Sequence, residues 1–253
     1  MKASSLSRPE KFLWGFVAAL LVLAVALPGI PQDPDYHHFA DSRTLMGVPR
    51  AMDVLSNVFL LVLGGIGLVY HFAGRLDYSN SAMRKSGFVF FLGFVLTAIG
   101  SAYYHLDPGD RGLAWDRMGI VVAFAGVLGL VAAHRVSVRA AYLLLPMALV
   151  GGVLSAAWFA ATNSITPYAV LQFGGMALVA GTSWLPTHGK GPNWAALIGA
   201  YALAKVLEME DYEVLRLTQG LVSGHTLKHV FAALAVLAVL LPLARRRSPA
   251  LDQ

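Results

Sequence analysis

Val54-Leu-Ser-Asn-Val-Phe-Leu-Leu-Val-Leu-Gly-Gly-Ile-Gly-Leu-Val-Tyr-His-Phe-Ala73 contains no Asp, Glu, Lys or Arg. A helix rises 1.5 Å per residue, so a run of this length reaches across the roughly 30 Å of a bilayer's hydrocarbon core. The apolar residues are continuous rather than alternating, which excludes a strand of a transmembrane barrel. Seven further stretches read the same way: 12–30, 87–104, 117–133, 140–161, 168–185, 194–207 and 226–244. The seventh in chain order, 194–207, is the weakest, being short and carrying Lys205.

The composition agrees. Of 253 residues, 57% are hydrophobic and 13% charged, and mean hydropathy is +0.63. Soluble domains carry about 25% charged residues, which excludes a disordered chain and disfavours an ordinary soluble enzyme. With no cysteine, a disulfide-stapled secreted module is excluded too. The sequence therefore predicts an all-α, polytopic transmembrane bundle. It divides into an extra N-terminal helix (1–30), a seven-helix core domain (31–247) and a short tail (248–253). Composition fixes no oligomeric state.

Proline and glycine mark the connections: Pro28, Pro31 and Pro34 after the first span, Pro108, Gly109 and Gly112 after the third, Pro186 to Pro192 after the sixth. Gly151, Gly152 and Ser155 inside the fifth span are small enough for close helix packing. Ala24-Val25-Ala26 resembles a signal-peptidase site, but the expectation is a retained helix. The net charge of +5 reads as topology, not nucleic-acid binding. With the N terminus inside, inner segments hold twelve cations: Lys2, Arg8, Lys11, Arg75, Arg84, Lys85, Arg135, Arg139, Lys190 and Arg245 to Arg247. Outer segments hold five: Arg43, Arg50, Arg111, Arg117 and Arg216. Both termini are therefore expected to be cytoplasmic.

Ionisable groups within membrane spans are costly and mark function by default. Most fall in three places: Ser101-Ala-Tyr-Tyr-His105 at the end of the third span, Trp115-Asp116-Arg117 at the start of the fourth, and Gly224-His225-Thr-Leu-Lys228-His229 at the start of the eighth. Ser101 and His105 share a helix face, as do His225 and His229, because residues four apart are neighbours on a helix. The topology puts all three clusters at one depth, near the outer surface. Two histidines one turn apart can bind one metal with a third ligand from elsewhere; a haem or a proton relay would use the same pair. Asp116 could equally cap the fourth helix, and Ser101 could bond back to its own helix. Taken together, three histidines, an aspartate and a serine are what metal-assisted hydrolysis needs. His105, His225 and His229 would hold Zn²⁺ and activate water, Asp116 would move the proton, and Ser101 would donate to the oxyanion.

Ser101-x-x-x-His105, then Asp116, then a distant His225-x-x-x-His229 opening the last helix resembles the alkaline ceramidases, a branch of a seven-helix hydrolase superfamily that includes the adiponectin receptors. The resemblance runs from about Tyr36 to Ala244, and Asp53-Val-Leu-Ser56-Asn57 looks like the opening of that family's first helix. It implies a zinc amidase that splits ceramide or a similar lipid amide, drawn from the bilayer, into a sphingoid base and a fatty acid. It makes His105, His225 and His229 the zinc ligands, with Asp116 and Ser101 at the reacting water. Two departures stand out. The 12–30 span is extra, and the stretch matching the ceramidases' calcium site, Tyr36-His37-His38-Phe39-Ala40-Asp41 with Arg50 beyond, leaves only Asp41 as a usable ligand.

Lys205, Glu208 and Asp211, three apart, read as a structural ion-pair ladder or as part of a site for the substrate's polar headgroup. Lys228 beside the histidine pair raises the local potential or snorkels to the surface. His37 and His38 read as a solvated loop or an entrance lid; His71, His134 and His188 as interfacial. A receptor or sensor with a structural zinc, and a haem- or proton-handling transporter, remain as alternatives; a zincin-type protease has no HExxH to support it.

Overall fold

A computed structural model describes residues 5–245. Lys2, Arg246, Arg247 and the tail 248–253 lie outside the described residues. Ten helices are present among the described residues: α1 (Arg8–Ala26), α2 (Ala51–Phe72), α3 (Ser81–Leu106), α4 (Asp110–Arg135), α5 (Val138–Thr162), α6 (Thr166–Ala169), α7 (Gly175–Ser183), α8 (Trp194–Met209), α9 (Asp211–Leu217) and α10 (Gly224–Leu243). A five-residue π turn, Val170–Gly174, joins α6 to α7 into one rod. Only isolated β-bridges occur among the described residues. The chain is an all-α helical bundle. Six of its helices (α1 to α5 and α10) are long and apolar enough to cross a membrane.

Two helices start six or seven residues earlier than hydropathy places them. α3 begins at Ser81, where the Asn80 side chain accepts a 2.9 Å hydrogen bond from the Met83 N–H. Its first turn carries Arg84 and Lys85, which depress the apolar count. α4 begins at Asp110 with Gly109 before it, so Asp116 lies in the second turn and does not cap the helix. An acidic residue in the first turn, here Asp110, suits the positive end of the helix dipole.

The packing forms a ring. α4 packs on α3, α3 on α2, α2 on α10, α10 on α8, α8 on α7, and α7 returns to α4. α5 lies outside α4: Gly152 faces Val121, whereas Gly151 faces open space. α1 lies against the π turn and α7, with Leu13 fully buried and Leu21, Val22 and Val25 exposed.

Two glycines bring helix ends together at one end of the ring. A Cβ on Gly100 would sit 2.4 Å from the Trp115 carbonyl oxygen, and one on Gly224 would sit 2.2 Å from the Leu207 carbonyl oxygen. Neither backbone could approach so closely with any other residue. The first contact sets α3 against the start of α4; the second sets the start of α10 against the end of α8.

Candidate metal centre

That end of the ring gathers His105 from α3 and His225 and His229 from α10. All three are buried, and each offers one ring nitrogen such that the three lie within 4.8 Å of one another. Nε2 of His105 and Nε2 of His225 face each other at 3.2 Å. Two nitrogens held at about 2.0 Å on a tetrahedral zinc would be roughly 3.3 Å apart. Three imidazoles with no thiolate in reach also form a donor set that zinc accepts with one position left open. The residues present therefore fit a divalent ion of this class. Nδ1 of His105 is buried with no hydrogen-bond partner among the described residues.

Each histidine is set in place by a residue outside its motif. Ser56 Oγ donates to the Asp53 carbonyl at 3.1 Å and lies 2.7 Å from His229 Nδ1. The hydroxyl has one proton, so it accepts from Nδ1–H, and the Nε2 lone pair of His229 faces the cluster. Asp211 Oδ1 accepts from the His225 backbone N–H at 2.7 Å, and its Oδ2 from the Ala40 N–H at 2.9 Å. Arg50 donates through Nε to the His105 carbonyl at 2.8 Å and through Nη2 to the Leu106 carbonyl at 2.9 Å, which satisfies free carbonyls at the end of α3. Phe39 covers the cluster, its ring centroid 4.6 Å from those of both His105 and His225.

Ser101 and Asp116 stand beside the cluster. Ser101 Oγ is 3.4 Å from His229 Nε2, and both residues are buried. Together with His229 they line a cavity of about 450 Å³ between the helices of the ring. Phe90, Phe94, Val127, Leu197 and Ala235 form its far wall. Phe90 precedes Ser101 by eleven residues on α3, so the apolar space runs about 16 Å from the polar end.

Lys205 and Glu208 also line this cavity. They form an ion pair, and Lys228 Nζ is 2.7 Å from the same carboxylate. Lys228 is therefore drawn inward to Glu208, 3.3 Å from His225 Nε2, and does not snorkel. Asp211 does not continue the ladder. α8 ends at Met209, the helical spacing breaks there, and Asp211 bonds the two backbone N–H groups described above.

Elsewhere the sequence expectations divide. His37 bonds the Tyr104 hydroxyl at 2.9 Å and Asp110 at 3.1 Å, while His38 is exposed. Asp41 has its carboxylate occupied by the Arg43 guanidinium. Arg43 also reaches the Gly220 and Leu221 carbonyls, at 2.7 and 3.0 Å. The bonds from Arg43 hold the Asp41 carboxyl below its ordinary value. His71 and His134 are buried and hydrogen-bonded, to the Tyr78 hydroxyl and to Trp194 and Gly189 respectively. The contacts of Ser56, Arg50 and Phe39 with the histidines had no local signature, because each is made across the fold, and Asp211, read as a ladder or headgroup residue, meets the His225 backbone instead.

No protein-family profile matches this chain, and neither a curated protein nor a solved structure is significantly similar to it.

Proposed function

We propose that the protein is an integral-membrane, zinc-dependent amidase that hydrolyses ceramide or a similar lipid amide to an amine and a fatty acid. The observation that carries the reading is the buried triad of His105, His225 and His229 opening, beside Ser101 and Asp116, onto an apolar cavity between helices. The resemblance of these five positions to the alkaline ceramidases supports it. The charge distribution supports cytoplasmic termini and a site near the outer face.

Zinc bound there would supply a water acidic enough to ionise near neutral pH and would polarise the amide carbonyl. The chain's own groups carry the rest. Asp116 accepts the attacking water's proton and returns it to the departing nitrogen, which must be protonated to leave. The Ser101 hydroxyl donates to the carbonyl oxygen as negative charge gathers on it. Ser56 holds His229 in the tautomer that presents Nε2, and Phe39 keeps bulk water from the histidines. The far wall of the cavity takes the acyl chain.

The test is mass-spectrometric product analysis of the purified full chain with a mixture of lipid amides. Free fatty acid should form, disappear on chelation, return with zinc, and be lost in Asp116→Asn. No hydrolysis by zinc-loaded protein, or hydrolysis that survives chelation, contradicts the proposal.

A further inference from the structure

Arg117 is 4% exposed, on α4 beside Asp116, and lines the same cavity. A guanidinium has five N–H donors and no acceptor. Its Nη2 donates to the Gln32 side-chain oxygen, and its plane lies over Phe159 and Tyr168, 4.0 and 4.7 Å from their ring centroids. Cation–π contact of this kind stabilises the charge but gives no acceptor to an N–H at the edge of the plane. Nη1 is buried and has no partner, and Arg117 forms no salt bridge among the described residues. A charge buried in a membrane protein without an anion is costly.

The other charges on the cavity wall do not supply that anion. Glu208 is shared between Lys205 and Lys228. Asp116 lies within the wall but is not within ion-pair distance of Arg117. Asp33 is exposed, its side chain taken up by the Asp35 N–H at 2.9 Å. The lining holds Arg117, Lys205 and Lys228 against Asp116, Glu208 and the exposed Asp33, and of the three cations Arg117 alone has no carboxylate partner among the described residues. A neutral diol headgroup such as that of ceramide leaves its guanidinium unmatched.

We infer that Arg117 forms an anion subsite, and that the lipid amide carries a carboxylate or phosphate on its amine half. This rests on the amidase reading above. The placement suits it: Asp116 serves the amide nitrogen, and its chain neighbour Arg117 meets a group attached a few bonds beyond that nitrogen. A guanidinium pairs two N–H groups with the two oxygens of such an anion, and Nη1 of Arg117 is the donor left without a partner.

The experiment compares three probes with one acyl chain and one amide: N-dodecanoylglycine, N-dodecanoylethanolamine and the phosphate ester of the latter. Binding is measured on chelator-treated full-length protein in detergent, so that no metal competes for the anion. One or both anionic probes should bind about 10- to 100-fold tighter than the neutral one, and the stronger identifies the headgroup. Arg117→Gln should abolish the difference and Arg117→Lys should keep part of it. Equal binding of all three by the unaltered protein overturns the subsite whatever the variants do. So does a preference that Arg117→Gln leaves intact. Hydrolysis of the same probes by zinc-loaded protein separates the two claims. Anion preference without any hydrolysis removes the amidase and keeps the subsite; equal hydrolysis of neutral and anionic probes with equal binding does the reverse.

Discussion

Ser56 decides which nitrogen of His229 faces the cluster. Its hydroxyl is committed to the Asp53 carbonyl and can only accept from Nδ1. Removing it frees the ring to rotate or to change tautomer. Ser56→Ala should lower zinc affinity about 10- to 100-fold with the helical content unchanged, measured by competition with a chromophoric chelator. Unaltered affinity would show that the ring is held by packing alone. The histidine pair itself was legible in the sequence because its spacing of four is a local property of one helix. The bond from Ser56 to His229 was not, since the two lie 173 residues apart and no periodicity connects them. Asp211 was read as a rung of a ladder or part of a headgroup site because 205, 208 and 211 share a helical spacing. The helix stops at Met209, and the carboxylate turns instead to the backbone of His225. Arg117 was counted among the outer topology charges, whereas the fold buries it in the bundle.

At the scale of elements, hydropathy found the long spans but not their ends. Charged first turns and caps lie outside any apolar window, so α3 and α4 were begun too late and Asp116 was placed at a helix start it does not occupy. The segment from Phe39 to Arg43 runs over the histidine cluster, and its attachment depends on charge. The Arg43 guanidinium joins Asp41 to the carbonyls of Gly220 and Leu221. Because Arg43 lowers the Asp41 carboxyl, the folded state binds that proton less readily than the unfolded chain does. The stabilisation is complete above the ordinary carboxylate value of about 3.9 and is lost as pH falls through the lowered one. Hydrogen-exchange protection of residues 39–43 should therefore hold to below pH about 3.9 and then collapse. Arg43→Gln should weaken protection at neutral pH and flatten its acid dependence. A strap equally protected in the variant would mean that Phe39 and Ala40 hold it without the ion pair.

The whole molecule is a ring of helices with the histidine cluster and a group of paired charges at one end and an apolar cavity wall behind them. Glu208 is matched by Lys205 and Lys228, Asp41 by Arg43, and Asp53 takes the Thr226 hydroxyl at 2.6 Å. The three histidines turn ring nitrogens toward one another, approached by Lys228 Nζ at 3.3 Å and Ser101 Oγ at 3.4 Å. We propose that a metal ion fills the space between them. Elemental analysis of the detergent-purified full chain, before and after His229→Ala, tests it most directly. About one zinc per chain in the unaltered protein, lost in the variant while helical content persists, is the predicted result. Protein that hydrolyses lipid amides with no metal bound, or a variant that keeps its full complement of zinc, would contradict it.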